Sequence, residues 1–151
     1  MKLFSELLDV TIKIFLTIFL SSIIGAERDI RQKEAGLRTH ILVGVGSALI
    51  VLTSLHLFDI YKGITIIDPT RMITGIVTGI GFLCAGTIIR AGANVRGLTT
   101  AATLWIVSGI GIAAGAGHYS GAIVVTFATF FVLTCLRSIE RFLSDKFTKP
   151  S

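Results

Sequence analysis

The sequence predicts an all-α integral membrane protein, a bundle of five transmembrane helices with the N-terminus outside the cell and the C-terminus in the cytoplasm. Hydrophobic residues make up 52% of the 151 residues, charged residues make up 15%, and the mean hydropathy is +0.83. Soluble domains carry about 25% charged residues, so this chain is too apolar for that class. The lengths of the uncharged runs and the placement of the basic residues supply the number of helices and their orientation.

Five runs of sequence are long enough to cross a bilayer as helices, at residues 7–26, 40–58, 72–89, 98–117 and 120–136. A helix that rises about 1.5 Å per residue needs about 20 residues to cross a hydrocarbon core of about 30 Å. The last four runs contain no Asp, Glu, Lys or Arg. The first contains Asp9 and Lys13, whose spacing allows them to pair near the membrane surface. A cleaved signal peptide is the alternative interpretation of that run, disfavoured because its start is not basic overall.

The basic residues predict the orientation. Counted on alternate sides of the five spans, four Lys and Arg residues fall on one side and ten on the other. Cytoplasmic loops carry the excess of basic residues, so the side with ten is predicted to be cytoplasmic. Residues 1–136 are therefore predicted to form the transmembrane domain. Residues 137–151 are predicted to form an amphipathic cytoplasmic tail lying in the interface, with a solvated tail or a partner-binding helix as alternatives.

Glycines are concentrated in the third and fourth spans, beyond what helix propensity favours. In the third span they share half of the helix with other small residues, which allows neighbouring backbones to approach closely. We therefore expect this helix to sit centrally, with its bulkier arc, including Ile76, Ile80 and Cys84, facing lipid. A glycine-lined permeation path is the less favoured alternative, because glycines at four-residue spacing mainly signal helix association. The predicted helix-packing residues are Gly75, Gly79, Gly81, Gly86, Gly111 and Gly115.

Polar residues cluster at the predicted inner face of the bundle. Thr39 precedes the second span, and Thr99 and Thr100 begin the fourth, so each is predicted to cap a helix whose positive dipole end points at the cytoplasm. With the nearby arginines they form a candidate site for an anionic group. The favoured alternative is that acidic residues at the same level neutralise the arginines and join the helix ends. The predicted inner-face polar cluster is Glu27, Arg28, Asp29, Arg38, Thr39, Arg90, Arg96, Thr99 and Thr100.

Other function classes have little support in the sequence. The chain has no recognisable catalytic carboxylate pair, Ser/His/Asp order or phosphate-binding loop, so we predict that it is not an enzyme and needs no cofactor. The three histidines are dispersed without metal-ligand spacing, and a metal site stays unassigned. The net charge of +5 reflects topology signals rather than a patch that follows phosphates, so nucleic acid is not expected as a partner.

Three long stretches, "GAERDIRQKEAGLRTHILVGVGSAL", "DPTRMITGIVTGIGFLCAGTII" and "VRGLTTAATLWIVSGIGIAAGAG", resemble in order and spacing the MgtC/SapB family of bacterial inner-membrane proteins. The resemblance covers almost all of residues 7–136. It implies a multi-span membrane protein linked to growth or survival under magnesium limitation and, in pathogens, to persistence inside macrophages. Some members of the family are thought to bind and restrain other membrane proteins, including the proton-translocating ATP synthase.

The chain departs from the family pattern at three places. Gly75 stands where relatives often have Gln, and Cys84 stands where Gly is usual. We also expect a short form that lacks the soluble C-terminal domain of longer members.

The predicted function is that of a non-enzymatic regulatory membrane protein linked to magnesium homeostasis, stress and virulence in the bacterial inner membrane. It is expected to act in the lipid bilayer through helix contacts with a membrane-protein partner, the ATP synthase by family analogy, or with copies of itself. The alternative is a transporter or channel for Mg²⁺ or another ion. That alternative needs an acidic or carbonyl-lined route near the middle of the bilayer, and spans two to five contain no acidic residue.

Overall fold

The computed structural model describes residues 2–64, 68 and 70–136, and 82% of these residues are helical. The predicted tail, residues 137–151, lies outside the described residues. The composition of elements agrees with the predicted all-α class; the two short strands form a hairpin before the fourth helix. In chain order the elements are α1 (Lys2–Ile30), α2 (Leu37–Tyr61), α3 (Thr70–Gly86), β1 (Ile89–Ala91), β2 (Asn94–Arg96), α4 (Leu98–Gly115) and α5 (Tyr119–Phe131), which continues as a π-helical turn at Val132–Leu136.

Four helices of the described part are long and apolar enough to cross a membrane, at Leu3–Ile30, Leu37–Tyr61, Leu98–Gly115 and Tyr119–Leu136. The fifth, α3, has 17 residues and therefore a length of about 25 Å, less than the thickness of a typical hydrocarbon core. The third predicted span extends to residue 89, but the helix ends at Gly86. The hydroxyl and backbone N–H of Thr87 both donate to the carbonyl of Cys84, and the chain then enters the hairpin.

The central helix of the bundle is α4, which packs against each of the other four helices. The prediction that the third span is central was wrong. Ile76, Ile80 and Cys84, which were expected to face lipid, are the buried residues of α3, and they pack toward α4. A Cβ placed on any of the four α3 glycines would meet nothing within 4 Å in the described structure. Branched side chains make more van der Waals contacts with a neighbouring helix than glycines do, so the bulky arc of α3 faces the bundle and its smooth arc, which carries the glycines, faces outward.

The backbones of α2 and α4 approach closely where small residues face each other. A Cβ at Gly111 would collide with the carbonyl of Gly44 and lie 3.0 Å from the Cβ of Ser47. One turn further along α4, a Cβ at Gly115 would lie 2.8 Å from the carbonyl oxygen of Ala48. The predicted packing role of Gly111 and Gly115 therefore has a direct counterpart in the structure, because a side chain at either position would push the two helices apart.

Hydrogen bonds between side chains cross the same interface. The hydroxyl of Ser47 donates to the carbonyl of Val43, and its oxygen lies 2.9 Å from that of Ser108, which can then donate to it. Both serines are buried. Buried hydroxyls must find partners inside an apolar bundle, so this pair fixes the register of α2 against α4 along the axis.

We predict that Gly111→Leu destabilises the bundle and that Gly109→Leu does not. The first change inserts a side chain between α2 and α4, where overpacking typically costs about 1–3 kcal/mol. The second is the matched control, because Gly109 lies on the same helix with open space around its Cβ position. Thermal unfolding of the purified protein in detergent measures the difference. Equal melting temperatures for the two variants would contradict the assigned close approach.

Candidate functional site

A charged cavity of about 730 Å³ opens at one end of the bundle, where α1 ends and α4 begins. We call it the charged-end cavity. One wall carries polar and charged side chains from α1, the loop at residues 31–36, β2 and the start of α4. The other wall is apolar and comes from the π-helical turn that follows α5. The lining residues are Glu27, Arg28, Lys33, Glu34, Val95, Arg96, Gly97, Leu98, Thr99, Thr100, Val132, Leu133 and Leu136.

Glu27 and Arg28 are buried at the base of this cavity. Their side chains are each 5% exposed, and Arg28 Nη1 lies 3.4 Å from Glu27 Oε2. The other carboxylate oxygen of Glu27 lies 3.4 Å from Nε of Arg31, one helical turn later. Removing one partner of a buried ion pair typically costs about 3–5 kcal/mol, because the remaining charge is left unpaired. Glu27 is therefore held between two arginines and acts as their counter-ion.

Glu34 ties the loop after α1 to the start of α4. The hydroxyl of Thr100 donates to Glu34 Oε2 at 2.7 Å. Hydrogen bonds from its own backbone N–H and from Thr100 lower the pKa of the Glu34 carboxyl, and Lys33 and Arg28 act in the same direction. The carboxylate also lies at the positive end of the α4 dipole, where a negative charge is favoured.

His40 joins the start of α2 to α4 beneath the cavity. Its ring is fully buried; Nδ1 lies 2.8 Å from the carbonyl oxygen of Gly36 and Nε2 lies 3.1 Å from the hydroxyl of Thr103. Because a carbonyl oxygen can only accept, Nδ1–H donates to Gly36. Nε2 forms the second hydrogen bond of the ring, with the hydroxyl of Thr103. With both nitrogens engaged, His40 serves as a structural link between the two helices.

Of the nine residues predicted for the inner-face cluster, the structure brings five together in the charged-end cavity. Asp29 lies beside it, where its carboxyl group packs over Gly36. The other three are exposed and absent from the cavity lining. Arg90 lies on the hairpin with its Nε directed to the carbonyl of Gly92 at 3.4 Å. The five that line the cavity are Glu27, Arg28, Arg96, Thr99 and Thr100, and the three outside it are Arg38, Thr39 and Arg90.

The predicted threonine caps were wrong. The N-cap of α2 is Gly36 and that of α4 is Gly97, so Thr39 and Thr99 lie inside the first helical turns. Gly97 adopts φ 87°, and a Cβ there would collide with the carbonyl of Thr87. Only glycine fits this close approach without strain, and the helix therefore begins directly after the hairpin.

Glu34 was not among the predicted site residues, although it contacts the cavity and α4. Its partner Thr100 lies 66 positions further along the chain, and no local spacing indicates such a contact. One signal in the sequence was available. The orientation of the protein in the membrane explains why this loop is basic, but it does not explain why the loop also contains acidic residues such as Glu34.

A second cavity, an apolar groove of about 470 Å³, lies between α2 and α3. We call it the α2–α3 groove. Three glycines line it, and the Cβ position of each faces open space. Of the glycines predicted to pack α3 inside the bundle, Gly75 and Gly79 therefore line an outward-facing groove, and Gly81 and Gly86 do not line it. The groove is lined by Leu42, Val43, Gly46, Ser47, Ile50, Met72, Gly75, Ile76, Gly79, Ile80 and Leu83.

No group of three His, Cys, Asp or Glu side chains that could hold a metal ion occurs among the described residues. Mg²⁺ requires several oxygen ligands in near-octahedral geometry. The carboxylates of the charged-end cavity are already engaged by arginines and by a threonine hydroxyl. The described side chains therefore offer no ready set of protein ligands for the ion.

Comparisons with known proteins agree with the resemblance seen in the sequence. The model of the MgtC family matches residues 14–142. A protein of Escherichia coli (strain K12) named "Putative magnesium transporter YhiD" is 38% identical over 137 residues, which are 89% of this chain and 64% of that protein. The "Protein MgtC" of Salmonella typhimurium (strain LT2) is 48% identical over 107 residues, 71% of this chain and 43% of the relative. The "Protein MgtC" of Brucella abortus (strain 2308) is 45% identical over 124 residues, 82% of this chain and 50% of the relative.

The chain spans roughly two fifths to two thirds of the length of these relatives. No solved structure matches it significantly. The family model covers far more than half of the chain, including every residue that lines the two cavities. The chain therefore belongs to the MgtC family.

Proposed function

We propose that this chain is a non-enzymatic regulatory protein of the bacterial inner membrane, linked to magnesium limitation and intracellular stress, that acts by binding the transmembrane helix of a membrane partner. The observation that carries the proposal is the α2–α3 groove with its outward-facing glycines. Membership of the MgtC family and the names of the relatives support the link to magnesium. The proton-translocating ATP synthase is the partner that family analogy favours, and a second copy of this chain is the alternative partner.

The shape of the groove suits a helix. Glycine at positions 75 and 79 follows the small-xxx-small pattern that allows two helix backbones to approach closely in lipid. Gly46 continues the open floor on α2, and larger apolar side chains such as Leu42 and Leu83 border it. Lipid tails are as apolar as leucine, so association in the bilayer depends on close van der Waals packing. A smooth floor with bulky borders supplies that packing to a partner helix.

The short length of α3 adds to this argument. At about 25 Å it falls short of a typical hydrocarbon core, and a short span is accommodated by local thinning of the bilayer or by association with other helices. In the proposed topology α3 is the third of five crossings, with the N-terminus outside and the charged-end cavity at the cytoplasmic face. A partner helix bound in the groove, beside the glycines, would reduce the cost of the mismatch between the length of α3 and the thickness of the bilayer.

Transport of Mg²⁺ or another ion is the second candidate, favoured by the name of the YhiD relative. A conducting route needs charged or carbonyl groups that can exchange ligands with the ion. His40, Ser47 and Thr103, which are buried between α2 and α4, make hydrogen bonds to one another or to backbone carbonyls. This arrangement favours a structural role for the polar core.

We predict that Gly79→Leu abolishes partner binding but leaves the fold intact. The new side chain fills the α2–α3 groove, yet nothing in the described structure lies within 4 Å of its Cβ position. A photo-crosslinking amino acid at Leu83, on the border of the groove, reports the partner in living cells grown at low magnesium. The expected result is a single adduct that Gly79→Leu removes, together with impaired growth at low magnesium.

Gly109→Leu is the matched control, because it adds the same side chain at an open glycine outside the groove. It should retain both the adduct and growth. If both variants keep the adduct, or if both lose it while folding normally, the groove is not the contact surface.

Purified protein in liposomes should not move Mg²⁺ or protons faster than protein-free vesicles. The physical reason is that the predicted spans 40–58, 72–89, 98–117 and 120–136 contain no acidic residue. A fluorescent Mg²⁺ indicator and a pH indicator inside the vesicles measure the two fluxes. Protein-dependent flux that increases with the amount of reconstituted chain would replace regulation by transport as the better-supported function.

A further inference from the structure

The charged-end cavity contains more basic than acidic side chains, and its acidic groups already have partners. Arg28, Lys33 and Arg96 line it together with two glutamates. Glu27 faces Arg28 and Arg31, and Glu34 accepts a hydrogen bond from Thr100. The groups of the cavity that remain available for hydrogen bonding to a ligand are therefore mainly the N–H donors of the basic side chains.

Arg28 is the strongest indication that the charged-end cavity binds a ligand. Its side chain is 5% exposed, and its buried Nε–H finds no acceptor among the described residues. Its one described ion pair, to Glu27, is long at 3.4 Å. Buried guanidinium groups normally satisfy their donors, because an unpaired buried donor of a charged group is unfavourable. Arg28 lines the charged-end cavity, so its guanidinium group lies within reach of an acceptor bound there.

The start of α4 adds donors to the same wall. The first backbone hydrogen bond of the helix runs from the N–H of Ala101 to the carbonyl of Gly97, so the N–H groups before it have no acceptor within the helix. Gly97 has no side chain with which to cap them. Leu98 and Thr99, which carry two of these groups, line the cavity. The positive end of an 18-residue helix therefore adjoins Arg28 and Arg96.

Another part of the lining is apolar. Val132, Leu133 and Leu136 from the π-helical turn after α5 contribute it, and no charged residue of that turn lines the cavity. A ligand that fits both parts of the lining has an anionic head and an apolar body. The volume of about 730 Å³ lies within the range typical of sites for small molecules and cofactors.

We propose that the charged-end cavity binds a phosphate group, with Arg28, Arg96, Lys33 and the start of α4 as its donors. A phosphate offers several acceptor oxygens, and arginine binds such oxyanions with paired, charge-assisted hydrogen bonds. Two sources can supply this chemistry, the headgroup of a membrane phospholipid and soluble phosphate. The apolar wall from the π-helical turn after α5 favours the lipid, whose acyl chains can lie against Leu133 and Leu136.

The test measures binding to the full chain purified in detergent. Native mass spectrometry with phosphatidylglycerol, and with diacylglycerol as the lipid that has the same tails but no phosphate, isolates the contribution of the phosphate. Thermal stabilisation by inorganic phosphate forms the arm for the soluble source. We expect phosphatidylglycerol to bind at least about tenfold more tightly than diacylglycerol, the factor associated with one charge-assisted hydrogen bond.

The variants are Arg28→Gln and Arg96→Gln, each of which should weaken phosphatidylglycerol binding about tenfold. Arg90→Gln is the matched control, because Arg90 is an exposed arginine on the other strand of the same hairpin and does not line the cavity. It should bind like the unmodified protein. Lys33→Gln, at an exposed position, carries the test with Arg96→Gln if the buried Arg28→Gln protein does not fold.

Stabilisation by inorganic phosphate that Arg96→Gln removes and Arg90→Gln retains would support the site with soluble phosphate as its ligand. Two results would overturn the proposal. One is that phosphatidylglycerol binds no better than diacylglycerol and that inorganic phosphate has no effect. The other is that Arg96→Gln and Arg90→Gln reduce binding equally, which would indicate a general attraction to surface charge.

Discussion

The close approach of α2 to α4 is the contact on which the rest of the bundle depends. Where Gly44 and Ala48 face Gly111 and Gly115, the two backbones come nearer than any side chain would allow. In lipid no hydrophobic force drives helices together, so this proximity and the hydrogen bonds across it supply the cohesion. Because α4 is held there, α1, α3 and α5 can each pack on a remaining side of it.

The same contact sets the geometry of the polar end. α2 and α4 begin at that end, and the register fixed by Ser47 and Ser108 carries His40 to Thr103 and positions Thr100 to meet Glu34. The loop after α1 is tied to α4 through that carboxylate, and α1 brings Glu27 and Arg28 into the space that remains. The charged-end cavity is thus a result of how three helix ends are fixed relative to one another. Its lining differs in polarity from place to place because the π-helical turn after α5 contributes aliphatic residues, whereas the end of α1 and the start of α4 contribute mainly polar ones.

Sequence reasoning predicted the class of protein, the helices and much of the polar cluster, because these depend on local composition and on charge. Uncharged runs mark the helices, although α3 ends earlier than predicted because Thr87 turns the chain into the hairpin. The arrangement of faces was harder to predict. A helix with a smooth arc and a bulky arc can pack against its neighbours through either arc, and the sequence does not indicate which. In the structure α3 buries Ile76 and Ile80 rather than its glycines. Contacts between residues distant in the chain, such as Glu34 with Thr100, leave no local signature.

Because the smooth arc of α3 faces outward, one side of the helix packs into the bundle and the other side is free to form an external surface. Ile76, Ile80 and Cys84 on the inner arc attach α3 to the bundle. The glycines on the outer arc face open space and do not contribute to packing within the fold. Mutations on that outer arc can therefore accumulate during evolution without a penalty in folding. If the α2–α3 groove binds partner helices as proposed, a family built on this scaffold can change its membrane partners by changing a few small residues while the architecture beneath them stays the same.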